Sequence, residues 1–223
     1  NYGVAQNIAA GVTEVTEEHG NAIVVEDDVV ATPFFLDFMN AALKRFADVD
    51  RVMHICGYCY PIQADDLPSA YLVPMMECSF GWATWARAWK HFERDPGRLV
   101  GDLNWDEIRR LNLGGATDFY SHVLGNYRGT LDTWAIFWSA AIIRNDGLCL
   151  FPNTCLSQSI GFDSSGVHCS DQNPFQNEAV ATAPLALPTD AVTEKHDEAY
   201  DRVCRFWEHT KTPGYPSGQQ RMR

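Results

Sequence analysis

Between Asn21 and Asp28 the chain reads NAIVVEDD, a continuous apolar and β-branched run that ends in three adjacent acids. A run this short and this apolar has the pattern of a strand covered on both faces, as in a parallel sheet. Before it, Val4, Ile8, Val12 and Val15 keep a helical period that Gly20 closes. After it, Thr32 and Pro33 supply an N-cap and a first helical position. Phe34, Phe35, Phe38, Ala42, Leu43 and Phe46 then give one apolar helix face. RVMHICGY, from Arg51, reads as the next strand. Alternation of helix and buried strand in this order constrains the fold to an α/β sheet with helices on its faces.

The remainder continues the pattern with interruptions. ADDLPSAYLVP is polar and proline-bearing and reads as a loop or edge excursion. In GWATWARAWKHF, Trp82, Trp85 and Trp89 stand at helical spacing. NWDEIRRLN is a short amphipathic helix, LDTWAIFWSAAIIR a longer apolar one stopped by Asn145-Asp146-Gly147, and LCLFP a strand. NTCLSQSIGFDSSGVHCSDQNPFQ has no period and reads as a long loop. The organisation expected is one α/β domain over residues 1–180. Residues 181–223 then hold a linker (APLALPTD), an amphipathic helix with Ala199, Val203, Phe206 and Trp207 inward, and a floppy tail.

Charge and cysteine usage narrow the function classes. With 29 acids against 17 Lys and Arg, the formal net charge of -12 disfavours a phosphate-binding face and hence a nucleic-acid partner. An anionic ligand would need help, for instance from a divalent cation. No run approaches the roughly 20 apolar residues of a membrane span. Seven scattered cysteines, an odd number, fit reduced buried thiols and a cytoplasmic location better than a disulfide framework. Cys56 and Cys59 match the redox Cys-x-x-C spacing. They end an apolar strand, however, and the turn residues around Pro61 cannot open the helix such a motif requires. No second close Cys/His pair follows at zinc-ligand spacing.

Ligands collect at the carboxyl ends of strands in open α/β sheets, and Glu26, Asp27 and Asp28 stand at such an end. Adjacent carboxylates there repel one another and lose solvation, so they need a cation or strong donors. A hard divalent ion with oxygen ligands, bridging to a diphosphate, meets that need. The competing reading is a solvated strand-to-loop junction that caps the next helix.

IVVEDDVVATPFFLDFMN resembles the acidic motif of metal-dependent GT-A glycosyltransferases, in which an Asp-x-Asp or Glu-Asp-Asp triplet ends a strand. FGWATWARAWKHFERD (80–95) and NDGLCLFPNTCLSQSIGFDSSGVHC (145–169) are similar in kind and order to segments of bacterial sugar transferases. A more distant likeness is to the N-acetylglucosaminyltransferase that initiates hybrid N-glycans. The resemblance implies a Rossmann-like mixed sheet flanked by helices. It also implies Mn²⁺ or Mg²⁺ as cofactor, a UDP- or GDP-sugar donor, and a glycan or small-molecule acceptor. Asp28 would be the metal ligand, with Glu26 and Asp27 facing the donor. Asp132, before an apolar helix, would be the general base on the acceptor hydroxyl; its spacing fits a helix N-cap equally. His168, between Gly161 and Gly166 on one side and Cys169 on the other, would donate to a phosphate or complete the metal shell. Trp82, beside Gly81, would touch donor or acceptor, while Trp85 and Trp89 read as core. In the family the first strands and the base-binding loops precede the segment resembling NYGVAQNIAAG. An incomplete nucleotide site is therefore expected, with an exposed sheet edge that pairs with a second copy.

Two other readings stay open. A nucleotidyltransferase also places carboxylates beside a diphosphate, although the basic Gly-rich loop usual in such enzymes is missing from the sequence. A carbohydrate-binding or assembly protein could keep the fold without catalysis.

Overall fold

The computed structural model describes residues 3–76, 79–161, 174–188 and 193–210. A 16-residue helix, α1 (Val4–His19), ends at Gly20, whose left-handed backbone lets its N–H reach Thr16 O at 2.8 Å. The face it buries is Ala5, Val12 and Thr16, whereas Val4 and Val15 are exposed. Only Val12 of the expected periodic set is fully inward, because the helix docks one position round from its valine stripe. β1 (Asn21–Val24) follows, then β2 (Val29–Ala31), α2 (Phe35–Arg45) and β3 (Val52–Cys56). The second helix begins after Thr32 and Pro33 rather than on them. Thr32 O and Oγ1 accept from Phe35 and Phe34 in a preceding turn.

The chain continues through β4 (Ala70–Val73), β5 (Trp82–Trp85) and α3 (Ala86–Trp89). Next come α4 (Pro96–Asp102), α5 (Trp105–Leu111), a 3₁₀ turn at Leu113–Gly115, and α6 (Tyr120–Tyr127). α7 (Ala135–Arg144), β6 (Leu148–Pro152), β7 (Ser157–Ser159) and α8 (Asp197–His209) complete it. Five strands form one mixed sheet in the order β1-β5-β3-β6-β4, and β2 and β7 form a separate two-stranded ribbon. β3 and β6 are parallel; β5 runs antiparallel to both β1 and β3, and β4 antiparallel to β6. The expected mixed sheet with flanking helices is therefore present.

Each strand feeds two cores, which is why the strands read as unbroken apolar runs. Leu148 and Leu150 of β6, Leu72 of β4, and Ala83 and Trp85 of β5 pack with Phe35, Phe38, Met39 and Ala42 of α2. On the opposite face, Cys149, Phe151, Tyr71, Val73 and Trp82 pack with α1, α7 and α8. α8 belongs to this same core through Ala199, Val203 and Trp207, and Phe206 packs against it.

Three local expectations are corrected. β1 is not an interior parallel strand but a margin of the sheet, half-buried at Ile23 and Val24, with β5 as its one neighbour among the described residues. AYLV, within the stretch read as a polar loop, is the fully buried strand β4. Its β-branched and aromatic side chains outweigh the flanking polar residues once β6 and α8 cover it. The Trp82-to-Trp85 segment is strand, not helix: Trp82 and Trp85 face opposite cores, and only four residues of helix follow. Spacing of three serves a two-sided strand as well as a helix, and Gly81 (φ +77) sets the turn that starts it.

Candidate functional site

The carboxyl ends of β1, β3 and β6 lie at one end of the sheet with the start of β5, since Val24 and Cys56 both pair with Trp82. Just past Val24 the chain turns over the three acids, with the Val29 N–H donating to Glu26 O at 3.1 Å. β2 then pairs antiparallel with β7, setting Val29 opposite Ser159. That register puts the Ser159 hydroxyl on Asp28 Oδ2 at 2.9 Å and the Ile160 N–H on Asp28 O at 2.8 Å. The Gly161 N–H donates to Ser159 Oγ at 3.2 Å. A side chain at Gly161 would lie 3.2 Å from Asp28 Cβ and Cγ and closer still to Oδ2, so anything larger than glycine displaces the Asp28 carboxylate.

The second and third motif segments are knotted into the same place. Ser157 donates to Phe80 O. The Gly57 N–H donates to Gly81 O at 2.8 Å, while Gly57 O accepts from Leu156 and Ser157 at 2.7 and 3.1 Å. Gly57 and Gly81 both pack flat against Phe35 and Ser157. The triplet, the Gly-Trp segment and residues 156–161 of the late segment thus meet at one sheet end. Gly57, Asn126, Ser157 and Ser159 are the supporting residues that sequence reasoning missed. No local signal marks the two serines, because pairing across the ribbon gives them their role.

Electrostatically the triplet is short of positive charge. Burial pushes the Glu26 carboxyl up from its usual range, a hydrogen bond from Ser79 opposes that, and the Asp28 and Asp27 carboxylates add to the rise. Among the described residues, no ion pair reaches Glu26, Asp27 or Asp28. Asp27 is exposed on the turn. Among the described residues no three His, Cys, Asp or Glu side chains converge as a ligand set. Glu26 and Asp28 are the half-buried carboxylates of the turn, and Asp28 carries the Ser159 hydroxyl on its Oδ2.

Asp132 is not a helix N-cap: Trp134 occupies that place, with no side-chain cap bond. Its carboxylate is exposed and pairs with Arg94, which also donates to Thr133 O at 3.3 Å. Asn126 of α6 clamps the segment, accepting from the Thr133 N–H and donating to Thr133 Oγ1, both at 3.0 Å. Trp134 stacks on Trp82 with ring centres 5.1 Å apart and an 18° tilt. Asp132 and Glu26 each lie two residues from a neighbour of Trp82, namely Trp134 and Val24.

Trp82 itself is fully buried between His54 and Trp134, so the expected sugar contact is corrected to a core role. His54 beneath it accepts from Trp138 at 3.3 Å, and burial pushes it down to about 3, leaving it neutral. His168 lies outside the described residues. The Cys56–Cys59 segment is thiol, not disulfide. The Cys59 N–H donates to Cys155 Sγ at 3.3 Å, and burial holds both thiols protonated, Cys155 being pushed up to about 12.

The chain matches no protein-family model and no curated protein. No helix among the described residues is long and apolar enough to cross a membrane.

Proposed function

We propose that this chain is a metal-dependent glycosyltransferase domain that moves a sugar from a UDP- or GDP-sugar to the hydroxyl of a glycan or small-molecule acceptor. The observation that carries the reading is the meeting of the three motif segments at one sheet end, with Asp28 hydrogen-bonded to Ser159. In this reading Asp28 holds Mn²⁺ or Mg²⁺, and Ser159 fixes the rotamer of that carboxylate. Glu26 and Asp27 face the donor. A bound divalent ion would supply charge stabilisation to the departing diphosphate. Asp132 takes the proton of the acceptor hydroxyl after Arg94 swings off its carboxylate. The margin of β1, which has β5 as its one neighbour among the described residues, is where a further strand, such as one from a second copy, would pair. Buried, protonated thiols at Cys59 and Cys155 support a reducing, cytoplasmic setting.

Lack of a three-ligand cluster among the described residues favours a second reading, a non-catalytic carbohydrate-binding module that kept the fold. Sugar release from UDP- and GDP-sugars with Mn²⁺ separates the two. The transferase reading requires release that Asp28→Asn abolishes; equal rates for the two proteins would remove Asp28 as metal ligand. Titration calorimetry with Mn²⁺ and UDP adds a second readout, since a binding-only module need not couple them.

A further inference from the structure

A cleft lies between α4 and α7, on residues that the proposed transfer chemistry does not use. Its floor is apolar, made of Leu99, Phe137 and Ala141, and its volume is about 260 Å³. That is just below the roughly 300 Å³ at which pockets for drug-sized ligands begin, so a small molecule is the right occupant. The walls carry two acids, Glu93 and Asp95, against two arginines, Arg98 and Arg144, with Asn145 and His91 beside them.

These charges are already matched. Glu93 Oε1 accepts from Arg98 at 2.7 Å, and Asp95 Oδ1 caps α4 through the Arg98 N–H at 2.9 Å. Arg98 Nε and Arg144 Nη2 share Asp102 Oδ2 at 3.4 and 3.3 Å. Burial and the neighbouring Lys90 push His91 down, so it presents a neutral imidazole at neutral pH. A charged ligand that gained from one of these wall residues would face a like charge within the same cleft, so its charge wins little. A neutral polyol meets no such cost. Its hydroxyls can accept from spare guanidinium N–H groups and donate to spare carboxylate lone pairs, while its C–H face lies on the apolar floor.

We infer that the α4–α7 cleft is a binding site for a small neutral saccharide. Binding here stands independently of transfer at Asp28. Glu93 and Asp95 flank Arg94, the partner of Asp132, so an occupied cleft would also bear on the segment that holds the proposed base.

The test is a titration of the full ¹⁵N-labelled chain, without metal or nucleotide, followed by two-dimensional NMR. The probes are methyl β-D-glucopyranoside and maltose, with glucuronate and glucosamine as charged counterparts. Saturable shifts of the Arg98 and Arg144 Nε–H and Asn145 side-chain signals are expected for the neutral pair and not for the charged pair. Ala141→Leu, which fills the floor, should weaken binding about tenfold or more, the loss of one or two net contacts. Glu93→Gln changes only a half-exposed wall residue and leaves Arg98 with Asp102, shared with Arg144, as its remaining carboxylate partner, so the walls gain net positive charge. It should turn the preference toward glucuronate, and this arm survives if Ala141→Leu does not fold. Absence of saturable shifts, tighter binding of a charged sugar to the wild type, or an unchanged preference in Glu93→Gln would each overturn the assignment. A chain that binds saccharide here and releases no sugar from nucleotide donors would refute the transferase reading alone.

Discussion

Replacing Gly57 by alanine adds one methyl group at the point where the motif segments are tied together. The new Cβ would stand 2.6 Å from Phe35 Cε2 and closer still to Ser157 Oγ. Gly57 is fully buried, and its own N–H and C=O are committed to Gly81, Leu156 and Ser157, so the backbone cannot retreat without breaking those bonds. Its φ does not lie in the left-handed region, so the penalty is steric rather than conformational. Overpacking of a closed core costs about 1–3 kcal/mol, and with ring and hydroxyl both held the upper end, about 3 kcal/mol, applies. For a chain of this size that lowers Tm by about 6–12 °C. Ser157→Ala alone removes the bond to Phe80 O and costs about 1 kcal/mol. In the double variant the hydroxyl contact is gone and the Phe35 contact remains. The pair should therefore cost less than the sum of the singles by about 1 kcal/mol. Urea unfolding of all four proteins measures this cycle. A Gly57→Ala change within about 0.5 kcal/mol of wild type, or strict additivity, would refute the steric account.

Glu26→Gln should stabilise the metal-free protein at neutral pH. Because the folded carboxyl is raised above 4.5, the stability it lends is present below pH 4.5 and lost as pH rises through the folded value. Thermal melts should show the variant's advantage closing below pH 4.5; an advantage independent of pH would refute the charge argument. Asn126→Ala strips Thr133 of two partners in a largely buried setting and should cost about 2–3 kcal/mol, read as a fall in the urea midpoint at unchanged slope. Loss of activity without that fall would instead give Asn126 a direct part in chemistry. Cys59 and Cys155 should resist maleimide labelling in the native protein at pH 7.5 and react once urea unfolds it, as located by peptide mass spectrometry. Rapid native labelling would contradict their burial and raised thiol pKa values.

Most of the secondary structure was legible because its signals are local. Gly20 stops α1, Asn145-Asp146-Gly147 stops α7, and NWDEIRRLN gives the short helix α5, whose start the structure closes with a capping box between Asn104 and Glu107. Two-sided strands gave the weakest signal. With both faces apolar, period-2 alternation disappears, so β4 was hidden in a polar context and the tryptophans of β5 imitated a helix stripe. The acids at the end of β1 were legible as a candidate site because carboxylates that follow an apolar run lose solvation there.

The sequence alone therefore determined the α/β alternation, the stops after α1 and α7, and the acidic turn, all set by neighbours within a few residues. Only the tertiary structure decided that β5 runs antiparallel between β1 and β3, placing Trp82 in the core. It also brought Ser159 to Asp28 across 131 residues of chain and tied Asp132 to Arg94. The physical reason is register: local periodicity fixes which face a side chain takes, but not which distant strand it meets.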